Sequence, residues 1–210
     1  MAWLLAPVYD RIMAGQERAS FSRFRAEILA DLSGTVVEIG AGTGANLQHY
    51  PDAVTELHVC EPDPGMRAQL EQKLAERPGL AARTTVHAAP GEALPFDDGR
   101  FDAAVSTLVL CTVGDMTASL QELRRVLKPA GRFAFLEHVC APRGTWQRRW
   151  QQVVEPAWRP IAGGCRLTRY QDEAIAAAGF VVDRLERAPV RGGVGLVHDT
   201  VRGVASKPTN

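Results

Sequence analysis

A glycine-rich segment and a later acidic residue have the spacing of a ligand-binding site. Gly40, Gly42 and Gly44 directly follow an apolar run, and glycine lets a backbone turn sharply and approach a ligand without a Cβ clash. A helix that begins after such a turn presents free N–H groups to a negatively charged group. Glu61 follows Gly40 by 21 residues, where an acid can accept hydrogen bonds from both hydroxyls of a ribose. The spacing therefore predicts a ligand that carries a ribose.

These residues alone leave the kind of ligand open. Gly40, Gly42 and Ala45 also satisfy a loose form of the dinucleotide-binding glycine pattern, so an oxidoreductase stays an alternative. No accompanying set of residues for hydride transfer is recognisable in the sequence.

The elements that must position these residues alternate between short apolar runs and helical stretches. This alternation predicts an α/β fold with a mainly parallel sheet. The expected strands are 35–39, one ending at 57–60, 84–87, 101–107, 132–137, 180–185 and 194–201. Residues 186–193 are too few for a crossover helix, so the last two strands should form an antiparallel hairpin.

Helical periodicity fills the intervals between the strands. The expected helices are 2–31 in two pieces, 64–77, 116–127, one beginning after Thr145, and 169–178 with a capping box of Thr168 and Gln171. Gly15 should break the first of these helices, and Pro156 should break the fourth. Phe21, Phe24 and Ile28 share one face of the second N-terminal piece, which predicts that this face is buried.

The composition is that of one ordinary globular domain. The chain has 210 residues, and Lys+Arg and Asp+Glu are both 24, so the formal net charge is zero. Nucleic-acid binders and polybasic membrane binders usually carry a basic excess, so neither partner is expected. The sequence has no apolar run of about 18 residues, so stable membrane insertion is not expected. Four cysteines without zinc-like spacing predict no metal site and a cytoplasmic protein with reduced thiols.

Four sequence segments together resemble a known family. VVEIGAGTGAN, CEPDP, GEALPFDDGRFDAAVSTLVL and RRVLKPAGRF occur in the order and spacing of class I S-adenosylmethionine-dependent methyltransferases. The resemblance implies a Rossmann-like, seven-stranded, mainly parallel sheet with helices on both faces and an antiparallel last strand. It implies one domain, 1–210, with an N-terminal helical lid (1–33), a cofactor-binding half (34–140) and a substrate-side insertion with a C-terminal hairpin (141–210).

The resemblance also implies the cofactor, S-adenosyl-L-methionine, with S-adenosyl-L-homocysteine as product. The implied cofactor-binding residues are Glu38, Gly40, Gly42, Glu61, Gly91, Glu92, Thr107 and Leu108. Glu61 would hold the ribose, and Gly91 and Glu92 would lie beside the adenine. Glu38 would either order the glycine-rich loop or meet the amine of the cofactor.

A closer resemblance appears in the second half of the chain. TLVLCTV, FLEHV and TWQRRWQQVVEPAWRPIAGGCRLTR are similar to the alkyl thiol S-methyltransferases of the methyltransferase-like group and to bacterial enzymes that cap thiols of small metabolites. This implies a small-molecule thiol as acceptor. The animal proteins have a longer hydrophobic N-terminal anchor than 1–9 provides, so their membrane location is not implied. An O- or N-methyltransferase of a small metabolite or lipid headgroup, and a non-catalytic cofactor-binding subunit, stay as alternatives.

Three residues are candidates for catalysis. His138 follows the fifth strand directly, and ligands of α/β folds bind at the carboxyl ends of strands. A neutral imidazole can accept the proton of a thiol, whose ordinary pKa is about 8.5. A loop-holding role for His138 is the alternative. Tyr9 and Asp10 are further candidates, because the N-terminal segment could close over the cleft.

The insertion before the sixth strand offers candidates for substrate binding. Trp146, Trp150 and Trp158 could wall a pocket for an apolar or aromatic substrate, or could pack on the sheet instead. Cys111 and Cys140 follow strands four and five, which leaves metalloid methylation with thiolate capture as a minor alternative to buried, inert cysteines.

Overall fold

The computed structural model describes residues 11, 13–190 and 195–209. Its strands are β1 (Gly34–Ile39), β2 (Val54–Cys60), β3 (Thr84–His87), β4 (Phe101–Thr107), β5 (Leu127–His138), β6 (Val181–Pro189) and β7 (Asp199–Ser206). Its helices are α1 (Ser22–Leu29), α2 (Pro64–Ala75), α3 (Pro78–Ala81), α4 (Met116–Val126), α5 (Trp146–Ile161) and α6 (Gln171–Ala177).

The strands form one sheet in the order β3-β2-β1-β4-β5-β7-β6. β1 to β5 are parallel, whereas β7 runs antiparallel to both β5 and β6. The predicted α/β fold with an antiparallel last strand is therefore confirmed. The strand order reverses between β1 and β4, and ligands of open α/β sheets bind at such a switch point, beyond the carboxyl ends of the strands.

Helices cover both faces of the sheet, as predicted. One core joins Phe133 and Phe135 of β5 to Leu123 of α4 and Ile175 of α6. The other core joins residues of β1, β2 and β4 to α1, α2 and α3. The predicted apolar face of the N-terminal helix, including Phe21, Phe24 and Ile28, is buried in this second core.

Two predicted helix breaks do not occur. Residues 13–29 remain helical through Gly15, with a π-helical turn at Glu17–Phe21, because burial of the apolar face outweighs the roughly 1 kcal/mol cost of a glycine. Likewise α5 continues through Pro156 and Pro160. Both prolines lie on the exposed side, where water can bond the carbonyls that lose their partner.

Two predicted helix starts are also different in the structure. Thr168 does not cap α6, because its N–H and hydroxyl both donate to Glu155 Oε2, at 2.8 and 2.7 Å. α6 begins at Gln171 without a side-chain cap. The glycine-rich turn leads into a series of short turns over 42–49 instead of a helix, with bonds such as His49 N–H to Asn46 O at 2.9 Å.

Gly203 of β7 has no side chain, so the backbone of β6 can lie close to it. A Cβ at this position would lie 2.0 Å from Arg184 O and 2.9 Å from Phe135 Cζ. Gly203→Ala should lower the free energy of unfolding by about 2–3 kcal/mol, because the added methyl group would push the backbone of β6 away from β7. Gly79→Ala is the control, since a Cβ there would meet no atom within 4 Å. Equal urea midpoints for the two variants would contradict this reading.

Candidate active site

Glu61 stands at the end of β2 and is tied to the glycine-rich loop. Its Oε2 accepts the Gly42 N–H at 2.8 Å, and its Oε1 accepts the Asp63 N–H at 2.9 Å. Burial raises the pKa of the Glu61 carboxyl, and these two N–H donors oppose the rise. The carboxylate is thus held in a fixed orientation beside Gly42, where each oxygen keeps capacity for another donor.

Glu38, at the end of β1, orders the same loop from inside. Its Oε1 accepts the Asn46 amide at 2.8 Å, and its Oε2 accepts the Tyr50 hydroxyl at 2.6 Å. Burial raises the pKa of Glu38, while the Tyr50 and Asn46 donors favour its charged form. This is the loop-ordering arrangement expected from sequence. Contact with a cofactor amine stays a prediction.

Arg25 of α1 completes this buried network, and the sequence analysis missed it. Its guanidinium donates to Asn46 Oδ1 at 2.9 Å, to Thr107 Oγ1 at 2.7 Å and to Glu17 Oε1 at 3.0 Å. One arginine therefore joins the N-terminal helix to the glycine-rich loop after β1 and to the end of β4. The only signal in the sequence was its place beside the apolar face of the helix.

The glycines differ in why the loop needs them. A Cβ on Gly40 would lie 2.5 Å from Val109, whereas a Cβ on Gly42 would have Gly40 O, at 4.0 Å, as its nearest neighbour. Gly40 therefore allows close packing, and Gly42 exposes bare backbone to open space. Leu108, directly after β4, adopts a φ of 62°, so the chain turns sharply at the predicted cleft.

Gly91 and Glu92 lie in the loop after β3. Gly91 is buried close to Ile39 and Ser119. Glu92 accepts the N–H groups of Gly114 and Asp115, at 2.8 and 3.2 Å, so its carboxylate fixes the segment before α4. A position beside an adenine stays a prediction for both residues.

Glu137 is a second carboxylate that the sequence analysis missed. It is fully buried near the end of β5 and accepts the Ser106 hydroxyl at 2.6 Å and the N–H groups of Val109 and Leu110 at 3.2 and 3.1 Å. Burial raises its pKa to about 7. Glu137 is an acid within the apolar run FAFLEHV, as Glu38 is within VVEIG, so the sequence could have pointed to it.

His138 is buried at the end of β5, beside a pair of cysteines. Its Nδ1 lies 4.0 Å from Cys165 Sγ, and its Nε2 has no hydrogen-bond partner in the part of the chain described. The Cys111 thiol donates to Leu108 O at 3.6 Å. Its proximity to Cys165 lowers the pKa of Cys165, and His138 lowers it further. The same proximity raises the pKa of Cys111. This Cys165–His138 pair was not predicted from the sequence.

The predicted tryptophans do not come together. The indole of Trp158 lies on the side of α5 that faces Cys165 and helps to lower the pKa of that thiol. Trp146 and Trp150 are exposed on the other side of the helix. A substrate contact stays a prediction for all three tryptophans, and Tyr9 and Asp10 lie outside the described residues.

The cysteines are not arranged as expected for metalloid capture. Cys111 lies near Cys165, whereas Cys140 accepts from Arg148 at 2.9 Å and lies 3.3 Å from Gln151 Oε1. Within residues 11, 13–190 and 195–209, no three His, Cys, Asp or Glu side chains are grouped to hold a metal ion. The described helices also include none that is long and apolar enough to cross a membrane.

Two clefts differ in their relation to the strand ends. One of about 270 Å³ lies between the N-terminal helix and the glycine-rich loop and includes Arg25, Thr43 and Ala45. A larger cleft, of about 600 Å³, lies between α4 and α6, toward the amino ends of the parallel strands. Position at the switch point favours the smaller cleft as part of the ligand site.

The carboxyl ends of β1, β2 and β4 form a site that suits a ligand with a ribose and a polar amino-acid end. Glu61 offers oriented carboxylate oxygens, and Gly42 leaves its backbone open beside them. The Glu38 network fixes the loop in the absence of a ligand. Ligand binding therefore costs little conformational entropy of the loop.

The comparisons with known proteins agree with this site. The methyltransferase domain family matches residues 37–135. Thiol S-methyltransferase TMT1B of Homo sapiens is 39% identical over 187 residues, which cover 89% of this chain and 76% of that protein. Thiol S-methyltransferase TMT1A of Homo sapiens is 36% identical over 202 residues, 95% of this chain and 82% of that protein. The crystal structure of the cyclase SpnF has a TM-score of 0.76 at 20% identity, covering 99% and 94% of the two chains, and shows the fold alone.

The fold and site define an S-adenosylmethionine-dependent methyltransferase of class I. Within this class, the chain belongs to the family that includes the two human thiol S-methyltransferases. Its cofactor is S-adenosyl-L-methionine, and S-adenosyl-L-homocysteine is the product that remains after transfer.

Loss of the Glu61 carboxylate should weaken cofactor binding. Glu61→Ala should cost about 1.5–3 kcal/mol of binding free energy for S-adenosylhomocysteine, measured by calorimetry, because hydrogen bonds to a charged partner are lost. Glu71→Ala, at an exposed position of α2, is the control. Unchanged affinity in a folded Glu61→Ala variant would remove this residue from the site.

Glu137 should make stability fall as pH rises. Its carboxyl keeps its proton to about pH 7 in the folded state but loses it near pH 4.5 when unfolded, so the folded state binds more protons in this window. The free energy of unfolding should therefore fall between pH 4.5 and 7, and Glu137→Gln should show a shallower fall. Glu76→Gln, at an exposed position, is the control. Parallel pH curves for wild type and Glu137→Gln would contradict the assignment.

Proposed function

We propose that this enzyme transfers the methyl group of S-adenosylmethionine to the thiol of a small apolar molecule, with His138 as the base. One observation carries this proposal: Nε2 of His138 is buried and lacks a hydrogen-bond partner among the described residues. A buried, unpaired nitrogen is costly, and an acceptor thiol would supply the missing donor.

The surroundings of His138 favour the tautomer that a base needs. A proton on Nδ1 would point to Cys165 Sγ, at 4.0 Å, and leave the lone pair of Nε2 free. The lowered pKa of Cys165 gives its sulfur negative character, which suits it to accept from Nδ1–H. Cys165 would then be a positioning residue that orients the ring and stabilises the imidazolium formed after proton transfer, as a carboxylate does in a catalytic triad.

The bound cofactor supplies a methyl carbon on a positively charged sulfur, which leaves as a neutral thioether. The chain aligns the acceptor with this carbon and excludes water, and alignment alone can remove several kcal/mol of the barrier. The acceptor forms its new S–C bond as its proton passes to Nε2 of His138. The loop held by Glu137 lies between β4 and His138 and would keep this region closed to solvent.

The choice of a thiol rests on acidity and on the relatives. A thiol with a pKa of about 8.5 needs only modest help to ionise near neutral pH, whereas an alcohol needs far more. The printed names of the two human relatives specify thiol S-methylation. Trp158, beside Cys165, is the candidate for contact with the apolar part of the acceptor.

The proposal also assigns a different role to each part of the chain. Residues 34–140 would hold the cofactor, and 141–210 would shape the acceptor side, with the N-terminal region, including Tyr9 and Asp10, closing over both. The four cysteines are free thiols, which is consistent with a reducing, cytoplasmic setting. No nucleic-acid partner is proposed.

Replacement of His138 gives the test. His138→Ala should lower turnover by about 10²-fold with little change in cofactor affinity, and the loss should shrink for thiols of lower pKa, which arrive already ionised. Cys165→Ala should lower turnover by about tenfold, and this loss should also be smaller for thiols of lower pKa. Rates are measured by mass spectrometry across thiols of graded pKa, alongside melting curves.

His198→Ala provides the matched control, because its side chain is half exposed. A similar loss for acidic and ordinary thiols, together with a lowered melting temperature, would make His138 a scaffold residue. Absence of any thiol methylation by the wild type would overturn the proposed function itself.

A further inference from the structure

Helix α5 exposes an apolar stripe to solvent. Trp146, Trp150, Val153 and Ile161 are exposed by 74%, 55%, 73% and 72%. At 3.6 residues per turn these positions, together with Ala157, fall within an arc of about 80°. Large apolar residues that are grouped and exposed in this way mark an interaction surface.

The side of α5 that faces the protein is polar. Gln151 is fully buried, and its side chain accepts the Ala141 N–H at 2.9 Å and donates to Leu196 O at 2.9 Å. Glu155 on the same side accepts from Thr168. The helix is therefore anchored by hydrogen bonds on its polar face, and its apolar face is left for a partner.

The charge around α5 departs from that of the whole chain. Residues 143–169 contain six arginines and one acid, Glu155, so this segment carries a formal charge of +5 within a neutral protein. Arg149 and Arg159 are exposed and form no ion pair with any residue in the described ranges. Arg143 is neutralised by its ion pair with Glu173. At 3.6 residues per turn, Arg149 lies beside the apolar stripe, whereas Arg159 lies near the opposite side of the helix. The stripe is therefore flanked by the exposed Arg149, within a segment that keeps a net positive charge.

We propose that α5 binds flat to the surface of an anionic lipid membrane. Tryptophan on the apolar face and arginine on the polar flank are the features of helices that lie in the interface plane. Anionic headgroups attract each basic side chain near the surface. The neutral total charge of the chain conceals this local excess, so composition alone argued against a membrane partner.

A second copy of the chain fits this surface less well. A two-fold symmetric dimer through the stripe would place this net positive segment, with Arg149 beside the stripe, opposite its own copy, and like charges across an interface oppose association. Lipid phosphates supply the opposite charge. The observations therefore favour a lipid surface over self-association.

Docking would also bring the acceptor side of the enzyme to the lipid. Gln151 of α5 bonds to Ala141, three residues after His138, so the helix lies next to the proposed base. Apolar thiols partition into membranes, and the docked enzyme would take its acceptors from there. This last consequence rests on the proposed thiol methylation, whereas the docking does not.

Vesicle binding tests the docking without any use of activity. The full chain is mixed with vesicles of phosphatidylcholine containing about a third phosphatidylglycerol, and with vesicles of phosphatidylcholine alone, and binding is measured by flotation. We expect binding to the anionic vesicles and much weaker binding to the neutral ones. Arg149→Gln with Arg159→Gln should weaken the anionic binding by about tenfold or more, and Trp146→Gln with Trp150→Gln should abolish most of it.

The controls remove equal charge or apolar surface elsewhere. Arg77→Gln with Arg184→Gln, and Val181→Gln with Leu185→Gln, change exposed residues outside α5 and should bind like the wild type. No binding by the wild type, or unchanged binding by both α5 variants, would overturn the proposal. A concentration-dependent dimer that the tryptophan variant loses, without vesicle binding, would assign the stripe to a second copy instead.

Discussion

Three buried carboxylates near the carboxyl ends of the parallel strands determine the shape of the site. Glu38, Glu61 and Glu137 stand at or next to the ends of β1, β2 and β5, and each accepts hydrogen bonds from a loop that follows a strand. A carboxylate taken out of water is costly unless such donors surround it. The loops are therefore held in the one arrangement that satisfies these groups, and this arrangement leaves Gly42 open and brings Val109 against Gly40.

Buried polar contacts also position the helices that surround the sheet. Arg25 links the N-terminal helix to the glycine-rich loop and to the end of β4, and Gln151 and Glu155 hold α5 by its polar face. As a result, α5 is directed outward with its apolar residues in solvent. The core of the sheet makes the protein stable, whereas these buried polar contacts decide which surfaces face the ligand and which face a partner.

The sequence was sufficient for the fold and for the edge of the sheet that carries the site, because strand periodicity and the glycine spacing are local signals. β3 and β4 were predicted residue for residue. The hairpin was predicted from the short interval between its strands, but its last strand is Asp199–Ser206 and not 194–201, where Gly195–Val197 forms a short helical turn. The helix breaks predicted at Gly15 and Pro156 were wrong. Burial of the apolar face of the N-terminal helix and the hydrogen bonds that anchor α5 outweighed the low helix propensity of these residues. The Cys165–His138 pair and the reach of Arg25 could not be predicted, since they join residues 27 and 82 positions apart that only the tertiary fold brings together.

The central claim is that the enzyme methylates sulfur, and a competition between matched acceptors tests it most directly. Hexanethiol, hexan-1-ol and hexylamine differ only in the nucleophilic atom, and all three can be supplied in one reaction with methyl-labelled S-adenosylmethionine. We expect the label in methyl hexyl sulfide, because a thiol loses its proton far more readily than an alcohol does and the resulting thiolate is a strong nucleophile. Label found mainly in the ether or in the methylated amine would contradict this claim.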